Sequence, residues 1–307
     1  MEFKHYTVLK EEAVELLDLK QGGIYVDCTL GGAGHTSLIL QKLKGGRVIG
    51  IDRDDDALQN AAKKLNDDRF IAVKSNFCDI DRVLADLGID GVDGILMDLG
   101  VSSHQLDTVE RGFSYSVDAP LDMRMDSSAP LDAAVVLNEY SSEELSRIFW
   151  EYGEERFSRK IAAAIEKQRV DIPYKTTAQL YNTGCDPVRG SKTDKLSSVK
   201  RIFQAVRIEV NGELAAVEEA IEKGLELLNR GGRMAIISFH SLEDRIVKNR
   251  FATAAKGCIC PSDIPICVCG KKPVVKLVTR KPVLPTEKEL AENSRSHSAK
   301  LRCAEKL

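Results

Sequence analysis

Residues 23–52 read GIYVDCTLGGAGHTSLILQKLKGGRVIGID, and the fold turns on this stretch. The apolar run Ile24-Tyr25-Val26 ends at a carboxylate, Asp27. Gly31-Gly32-Ala33-Gly34-His35 follows, then an amphipathic segment and a second apolar run ending at Asp52. The pattern predicts a strand, a glycine-rich turn, a helix and a second strand. Glycines at such a turn permit positive φ and a close approach of backbone to ligand. The helix start beyond them offers N–H groups that have no intrahelical acceptor. Asp52, 18 residues past Gly34, stands at the tip of the second strand, where it can accept hydrogen bonds from both hydroxyls of a ribose. The element reads as a pocket for an adenosine-containing cofactor.

Three readings of this pocket compete. A dinucleotide fingerprint runs from the strand straight into G-x-G-x-x-G, so that pyrophosphate rests on the helix N-terminus. Here an acid precedes the glycines, and Ser37 takes the third glycine position. Asp27 repels a pyrophosphate but attracts the amino group of S-adenosylmethionine (AdoMet) and, more weakly, its sulfonium. The third reading is a plain strand-turn-helix with no ligand, and a lone glycine turn does not separate the three.

Outward from this stretch, strand and helix alternate with short turns. Phe70–Lys74 reads as a third strand, Ile80–Leu87 as a helix and Val92–Asp98 as a fourth strand, which together predict an α/β fold with a doubly wound parallel sheet. Such sheets bind ligands at the carboxyl ends of their strands. Asp27, Asp52 and Asp98 all fall at strand ends, and Phe77, just past the third strand, offers a flat surface for adenine. One carboxylate at a strand tip is ordinary as a helix cap. Three beside a glycine turn point to a cofactor.

The alternation stops after Leu99. From there to Arg207 the chain reads as loops and helices, including Glu154–Arg169 and Leu196–Val210, so residues 105–208 are predicted to form an inserted helical domain that shapes a substrate cleft. Residues 1–104 and 209–307 are the two parts of the sheet domain. In the second part Glu213–Leu228 reads as a helix ended by Gly231-Gly232, Arg233–Ser238 as a strand, and Ser241 as the N-cap of a further helix. Val274–Thr279 reads as an antiparallel edge strand.

The chain has 307 residues, enough for a sizeable core, and its 43% hydrophobic and 30% charged composition is that of a globular protein. No apolar run reaches the roughly 18 residues of a membrane span, and the N-terminus lacks an apolar signal core, so the expected location is cytoplasmic, with no membrane partner. The net charge of −3 makes no overall case for nucleic acid. Locally, ten Lys or Arg stand against four Glu from Lys271 onward, and six against two Asp between Cys185 and Arg207. These segments read either as a basic face or as solvated loops. Eight cysteines without a secretory signal favour free thiols or metal ligands over disulfides.

Taken together, Asp27–His35 (DCTLGGAGH), Met97–Ser103 (MDLGVSS) with Gln105-Leu106-Asp107, Glu110–Ser114 (ERGFS), Pro120–Asp126 (PLDMRMD), Tyr152–Phe157 (YGEERF), Phe203–Ile208 (FQAVRI), Ile237–Arg245 (ISFHSLEDR) and Ser298–Arg302 (SAKLR) resemble the bacterial 16S ribosomal RNA (cytosine-N4)-methyltransferase H family, also called MraW. The likeness spans nearly the whole chain. It implies a class I AdoMet-dependent methyltransferase domain, Rossmann-like, with an inserted helical domain. By resemblance the AdoMet contacts fall on Ala33, Gly34, His35, Asp52, Phe77, Asp98 and Gln105. The implied reaction is N4 methylation of a cytosine in the decoding centre of 16S rRNA, within the small ribosomal subunit.

An exocyclic amine is a poor nucleophile because its lone pair is conjugated into the ring, so it must be oriented and relieved of a proton. Asp98 is the first candidate to touch it, although Asp98 could equally touch only the cofactor. His240 and Asp244 are second-rank catalytic candidates. Asp122 and Asp126 either join them or pair with Arg124. Cys258, Cys260, Cys267 and Cys269 form two C-x-C pairs that could hold zinc, or could remain thiols or form a disulfide. Cys28, Cys78, Cys185 and Cys303 read as packing residues. The competing functional classes are a non-catalytic RNA-binding assembly factor with a retained AdoMet fold and a nucleotide-linked dehydrogenase. Intact Asp27, Gly34, Asp52 and Asp98 speak against the first. Asp27 and the missing third glycine speak against the second.

Overall fold

A computed structural model describes residues 7–258, 260 and 269–307. The chain divides into two compact units, one of Met1–Gly100 with Leu214–Leu307 and one of Val101–Glu213. The expected boundaries at 104/105 and 208/209 therefore move to 100/101 and 213/214. The second shift follows from a helix that runs to Asn211 and is closed by Gly212 at φ 60°.

The first unit opens with α1 (Lys10–Leu16), β1 (Ile24–Asp27), α2 (Gly34–Lys42), β2 (Arg47–Asp52), α3 (Asp55–Lys64), β3 (Phe70–Lys74), α4 (Ile80–Asp86) and β4 (Val92–Asp98). The second unit holds α5 (Ser103–Asp107), α6 (Ala133–Glu139), α7 (Ser142–Glu151), α8 (Ser158–Asp171), α9 (Thr177–Cys185) and α10 (Lys192–Asn211). The chain then continues through α11 (Glu213–Leu227), β5 (Leu228–Ser238), α12 (Ser241–Ala255), β6 (Val275–Leu277), α13 (Glu287–Glu292) and β7 (Lys300–Lys306). Among the described residues no helix is long and apolar enough to cross a membrane.

The strands form one sheet in the order β3-β2-β1-β4-β5-β7-β6. β1 to β5 are parallel, and β7 runs antiparallel to both β5 and β6. Alternate residues feed opposite faces, as a pleated strand requires. Val26, Ile95, Met97, Met234 and Ile236 join α4, α11 and α12 in one core layer. Tyr25, Leu96, Ala235 and Ile237 join α1 and α2 in the other. The Tyr25 ring lies so close to Gly94 that a Cβ there would fall 2.6 Å from it, which fixes a glycine in the middle of β4.

Two expectations change. β5 begins at Leu228 rather than Arg233, because Gly231-Gly232 forms a bulge within one ladder that pairs Val92 with Leu228 and Gly94 with Arg233. The last residues of the C-terminal basic segment, read as part of a basic face or of a solvated loop, form the strand β7. Leu301 and Cys303 point into the core, while Lys300 and Arg302 alternate with them.

In the helical unit, Leu145, Ile148 and Phe149 of α7, Ile161 and Ile165 of α8, and Val199, Ile202 and Phe203 of α10 share one core. Their spacing of three and four residues is the helical stripe. α8 starts at Ser158, not Glu154, because Glu154 adopts φ 51° and turns the chain. Glu155 is thereby sent into the core, where it meets Ser198 Oγ at 2.8 Å and Arg201 Nη2 at 2.7 Å.

Candidate active site

β1 is flanked by β2 on one side and β4 on the other, so the chain leaves it in two directions and a crevice opens beyond the carboxyl ends of β1 and β4. The residues at those ends are Asp27 and Asp98. Thr29 joins the two tips: its Oγ1 accepts a hydrogen bond from Asp98 N at 2.6 Å.

Asp27 is 1% exposed. Its Oδ2 accepts from Thr36 Oγ1 at 2.7 Å and its Oδ1 from Thr29 N at 3.2 Å. Burial pushes the carboxyl up to about 6 against the pull of these bonds. Both oxygens turn back to brace the glycine turn from below.

The turn is braced from the other side by Asp52. Asp52 Oδ2 accepts from Gly31 N at 2.8 Å and Oδ1 from Asp54 N at 2.9 Å. Gly31 sits at φ 45°, where these bonds hold it. Burial raises the Asp52 pKa while the two backbone donors lower it. Each carboxylate oxygen carries two lone pairs, so the bonds to the turn leave acceptor capacity toward a ribose.

Ala33 is the N-cap of α2 at φ 58°, a left-handed conformation uncommon for a residue with a Cβ, and it is fully buried. At Gly34 a Cβ would stand 1.8 Å from Thr7 Oγ1, so the turn closes against Thr7 only with glycine there. His35 is 3% exposed. Its Nε2 lies 3.1 Å from Val8 O and must carry the proton to donate, while Nδ1 lies 3.9 Å from Asp98 Oδ2. That second distance is an electrostatic contact rather than a hydrogen bond.

Asp98 differs from the other two acids. Its Oδ1 is buried and has no hydrogen-bond partner. Burial first, and then the charges of Asp27, Glu243 and Glu289, hold its pKa well above the usual carboxylate range. A buried acceptor without a donor costs free energy until a donor or cation reaches it. Phe77 begins a short 3₁₀ turn after β3, packs partly against the core and leaves part of its ring accessible.

Other expected residues have structural partners. Gln105 belongs to the helical unit, where its Oε1 accepts from Ser102 N at 3.0 Å and its N donates to Ser102 Oγ at 3.2 Å in a capping box. The N-cap of α12 is His240, not Ser241. His240 Nδ1 accepts from Glu243 N at 3.4 Å, and Glu243 Oε2 accepts from Phe239 N at 2.8 Å. Asp244 Oδ1 accepts from Arg302 Nε at 2.7 Å, with Lys300 Nζ 3.4 Å from Oδ2. Burial pushes the Asp244 pKa up, but Arg302 and Lys300 outweigh it and hold the group low. Asp244 is thus a clasp between α12 and β7.

Asp122 forms a two-point pair with Arg124 at 2.9 and 2.6 Å, and Asp126 accepts from Ser128 Oγ at 2.6 Å. Among the metal candidates, the Sγ atoms of Cys258, Cys260 and Cys269 come together, whereas Cys267 lies outside the described residues. Cys28 and Cys303 are buried in the core. Much of the charge in the two basic segments is consumed internally: Lys276 pairs with Glu305, Arg201 with Glu155 and Arg207 with Glu213.

Sequence reading missed Thr29 and Thr36, the two hydroxyls that tie Asp27, Asp98 and the turn together. A signal for them was present. Asp27-x-Thr29 is an Asx-type spacing, and Thr36 lies in the first turn of the helix that Asp27 precedes.

The crevice fits a cationic adenosine cofactor. The carboxyl ends of the parallel strands carry an unpartnered acid oxygen at Asp98, spare acceptors at Asp52, an aromatic ring at Phe77 just past β3 and, after β1, the first helical turn at Gly34 and His35. A pyrophosphate fits poorly beside two carboxylates. With one antiparallel strand inserted next to the parallel β3-β2-β1-β4-β5 run, this sheet and crevice define a class I AdoMet-dependent methyltransferase.

Comparison with known proteins narrows the class. A model of the MraW methylase family matches residues 2–307. The chain is 55% identical over 312 residues to a protein of Brevibacillus brevis named Ribosomal RNA small subunit methyltransferase H, covering 100% of this chain and 99% of that one. Relatives of the same name in Carboxydothermus hydrogenoformans and Clostridium botulinum are 53% and 52% identical over 309 residues, covering 100% of this chain and 99% and 100% of theirs. The chain belongs to the MraW methylase family.

Proposed function

We propose that this protein transfers a methyl group from AdoMet to the N4 amine of one cytosine in the decoding centre of 16S rRNA, acting in the cytoplasm on the small ribosomal subunit. The observation that carries the reading is the Asp98 carboxylate at the end of β4, whose buried Oδ1 has no hydrogen-bond partner. Relatives over half identical along their full length carry a small-subunit rRNA methyltransferase name, which supports the substrate.

In this reading Ala33, Gly34 and His35 hold the cofactor at the first turn of α2, Asp52 holds the ribose, Phe77 flanks adenine, and Asp98 and Gln105 serve the methionine end. Bound AdoMet supplies a methyl group already activated by its sulfonium. The protein's own task is then orientation and electrostatics. Asp98 stabilises positive charge near the reacting atoms, either on the cofactor's amino group or on the cytosine amine as it becomes cationic. His35 is held by Val8 O through Nε2, which keeps its ring beside Asp98. Asp27 acts only through the turn it braces. His240 and Asp244 cap α12 and hold it to β7, which gives them a supporting role.

RNA needs a surface as well as a reactive site. In the helical unit, Arg147, Trp150, Phe157, Arg159 and Lys160 line one groove, with Trp150 61% exposed. Exposed aromatic and cationic side chains side by side suit a single-stranded segment, whose bases stack and whose phosphates pair. The test is transfer of labelled methyl from AdoMet to small subunits purified from cells lacking this protein, followed by mass spectrometry of the nucleosides. N4-methylcytidine at one site is the expected product. Absence of transfer to subunits and to free 16S rRNA, with AdoMet bound, would overturn the substrate.

A further inference from the structure

We propose that Cys258, Cys260 and Cys269 form a thiolate site for zinc, away from the crevice and outside the methyl-transfer chemistry. Their three Sγ atoms lie within 4.8 Å of one another. Cys269 Sγ is 3.8 Å from Cys258 Sγ. Four thiolates or their equivalents around zinc at about 2.3 Å stand about 3.8 Å apart along a tetrahedral edge, so this pair already has the separation of two zinc ligands. A disulfide requires about 2.05 Å between sulfurs, so the pair is not bonded.

The setting favours a metal over packing. Cysteine is usually buried as a small apolar group. Here Cys258 and Cys269 are exposed, and none of the three belongs to a core cluster. Cys260 N donates to Cys258 Sγ at 3.4 Å, an arrangement that stabilises a thiolate. The framework on either side is fixed: Val274 N donates to Ala254 O at 2.8 Å and Lys271 Nζ to Thr253 O at 3.1 Å, joining the end of α12 to the approach to β6. Lys256, Lys271 and Lys272 lie within three residues of these cysteines in the sequence. Soft sulfur ligands select zinc over the hard divalent ions. The three described thiolates fill three of its four positions.

The test uses the full chain, purified under reducing conditions, stripped with a chelator and then given Zn²⁺ or Co²⁺ alone. We expect one zinc per chain by elemental mass spectrometry, a thiolate-to-cobalt charge-transfer band in the near ultraviolet, and zinc protection of these cysteines from maleimide labelling. The triple variant C258S/C260S/C269S should lose the band and bind zinc at least tenfold more weakly. A circular dichroism spectrum and melting temperature like those of the wild type will show that the variant is folded. Should it fail to fold, the maleimide protection in the wild-type chain decides alone. Fully reduced protein that takes up no zinc, or a folded triple variant that binds it undiminished, would overturn the proposal, as would protein that takes up zinc while these cysteines label at the same rate.

Discussion

Three aspartates at three strand tips meet three environments, and their chemistry diverges accordingly. Asp27 is buried with two donors, Asp52 takes two backbone donors, and Asp98 keeps one oxygen without a partner. For Asp27 the sign of the pH effect follows from its raised pKa. The folded state holds the proton more tightly than the unfolded chain, so stability is greatest below the ordinary value of 3.8 and falls as pH rises through about 6. The loss is on the order of 3 kcal/mol, from about two pH units at 1.36 kcal/mol each. Asp27→Asn removes that contribution, and denaturation midpoints taken from pH 4 to pH 7 should fall less steeply in the variant than in the wild type. Parallel profiles would mean that Asp27 does not titrate in this range.

At the scale of elements, α12 is positioned by its two ends. His240 caps it, and Asp244 in its first turn reaches Arg302 and Lys300 on β7. Asp244 and Arg302 side chains are 13% and 11% exposed, so removing the acid strands a nearly buried guanidinium. Asp244→Asn should therefore cost about 3 kcal/mol of stability at neutral pH. Because the Asp244 pKa is lowered, the wild-type advantage disappears as pH falls below about 4. Loss of turnover with unchanged stability would instead make Asp244 a base. The elements near the crevice were legible in sequence because each is local: strand, acid, glycine turn and helix follow one another within 30 residues. β7 and the Asp244 clasp were not, since their partners lie 58 residues apart in the chain and a run alternating Lys and Arg with apolar residues looks like a basic tail. Gln105 was placed by resemblance alone, although Ser102-x-x-Gln105 is the local spacing of the capping box that its amide closes.

At the scale of the whole molecule, the chain forms two units with separate cores. The sheet unit carries the crevice, and the helical unit carries the groove around Trp150. The overall negative charge hides this, because many cations in the basic segments pair internally while Arg156 and Arg159 stand exposed at the start of α8. Neutralising both as Arg156→Gln and Arg159→Gln should weaken RNA binding and reduce the salt dependence of log K by roughly 0.7 for each phosphate of a single strand that is no longer neutralised. An unchanged slope would take this groove off the RNA path.

The most direct measurement is the calorimetry of AdoMet binding from pH 4 to pH 8 in pairs of buffers of different protonation enthalpy, for the wild type and Asp98→Asn. Asp98 holds its proton unusually tightly when no cation is near. A cation placed beside it lowers that pKa, so wild-type binding should release protons and give a buffer-dependent enthalpy. In Asp98→Asn the dependence should vanish and affinity should fall about 10- to 100-fold, or about 1.5–3 kcal/mol for a charge-assisted bond. Equal affinity and equal buffer dependence in the two proteins would contradict the placement of the cofactor's charge at the tips of β1 and β4.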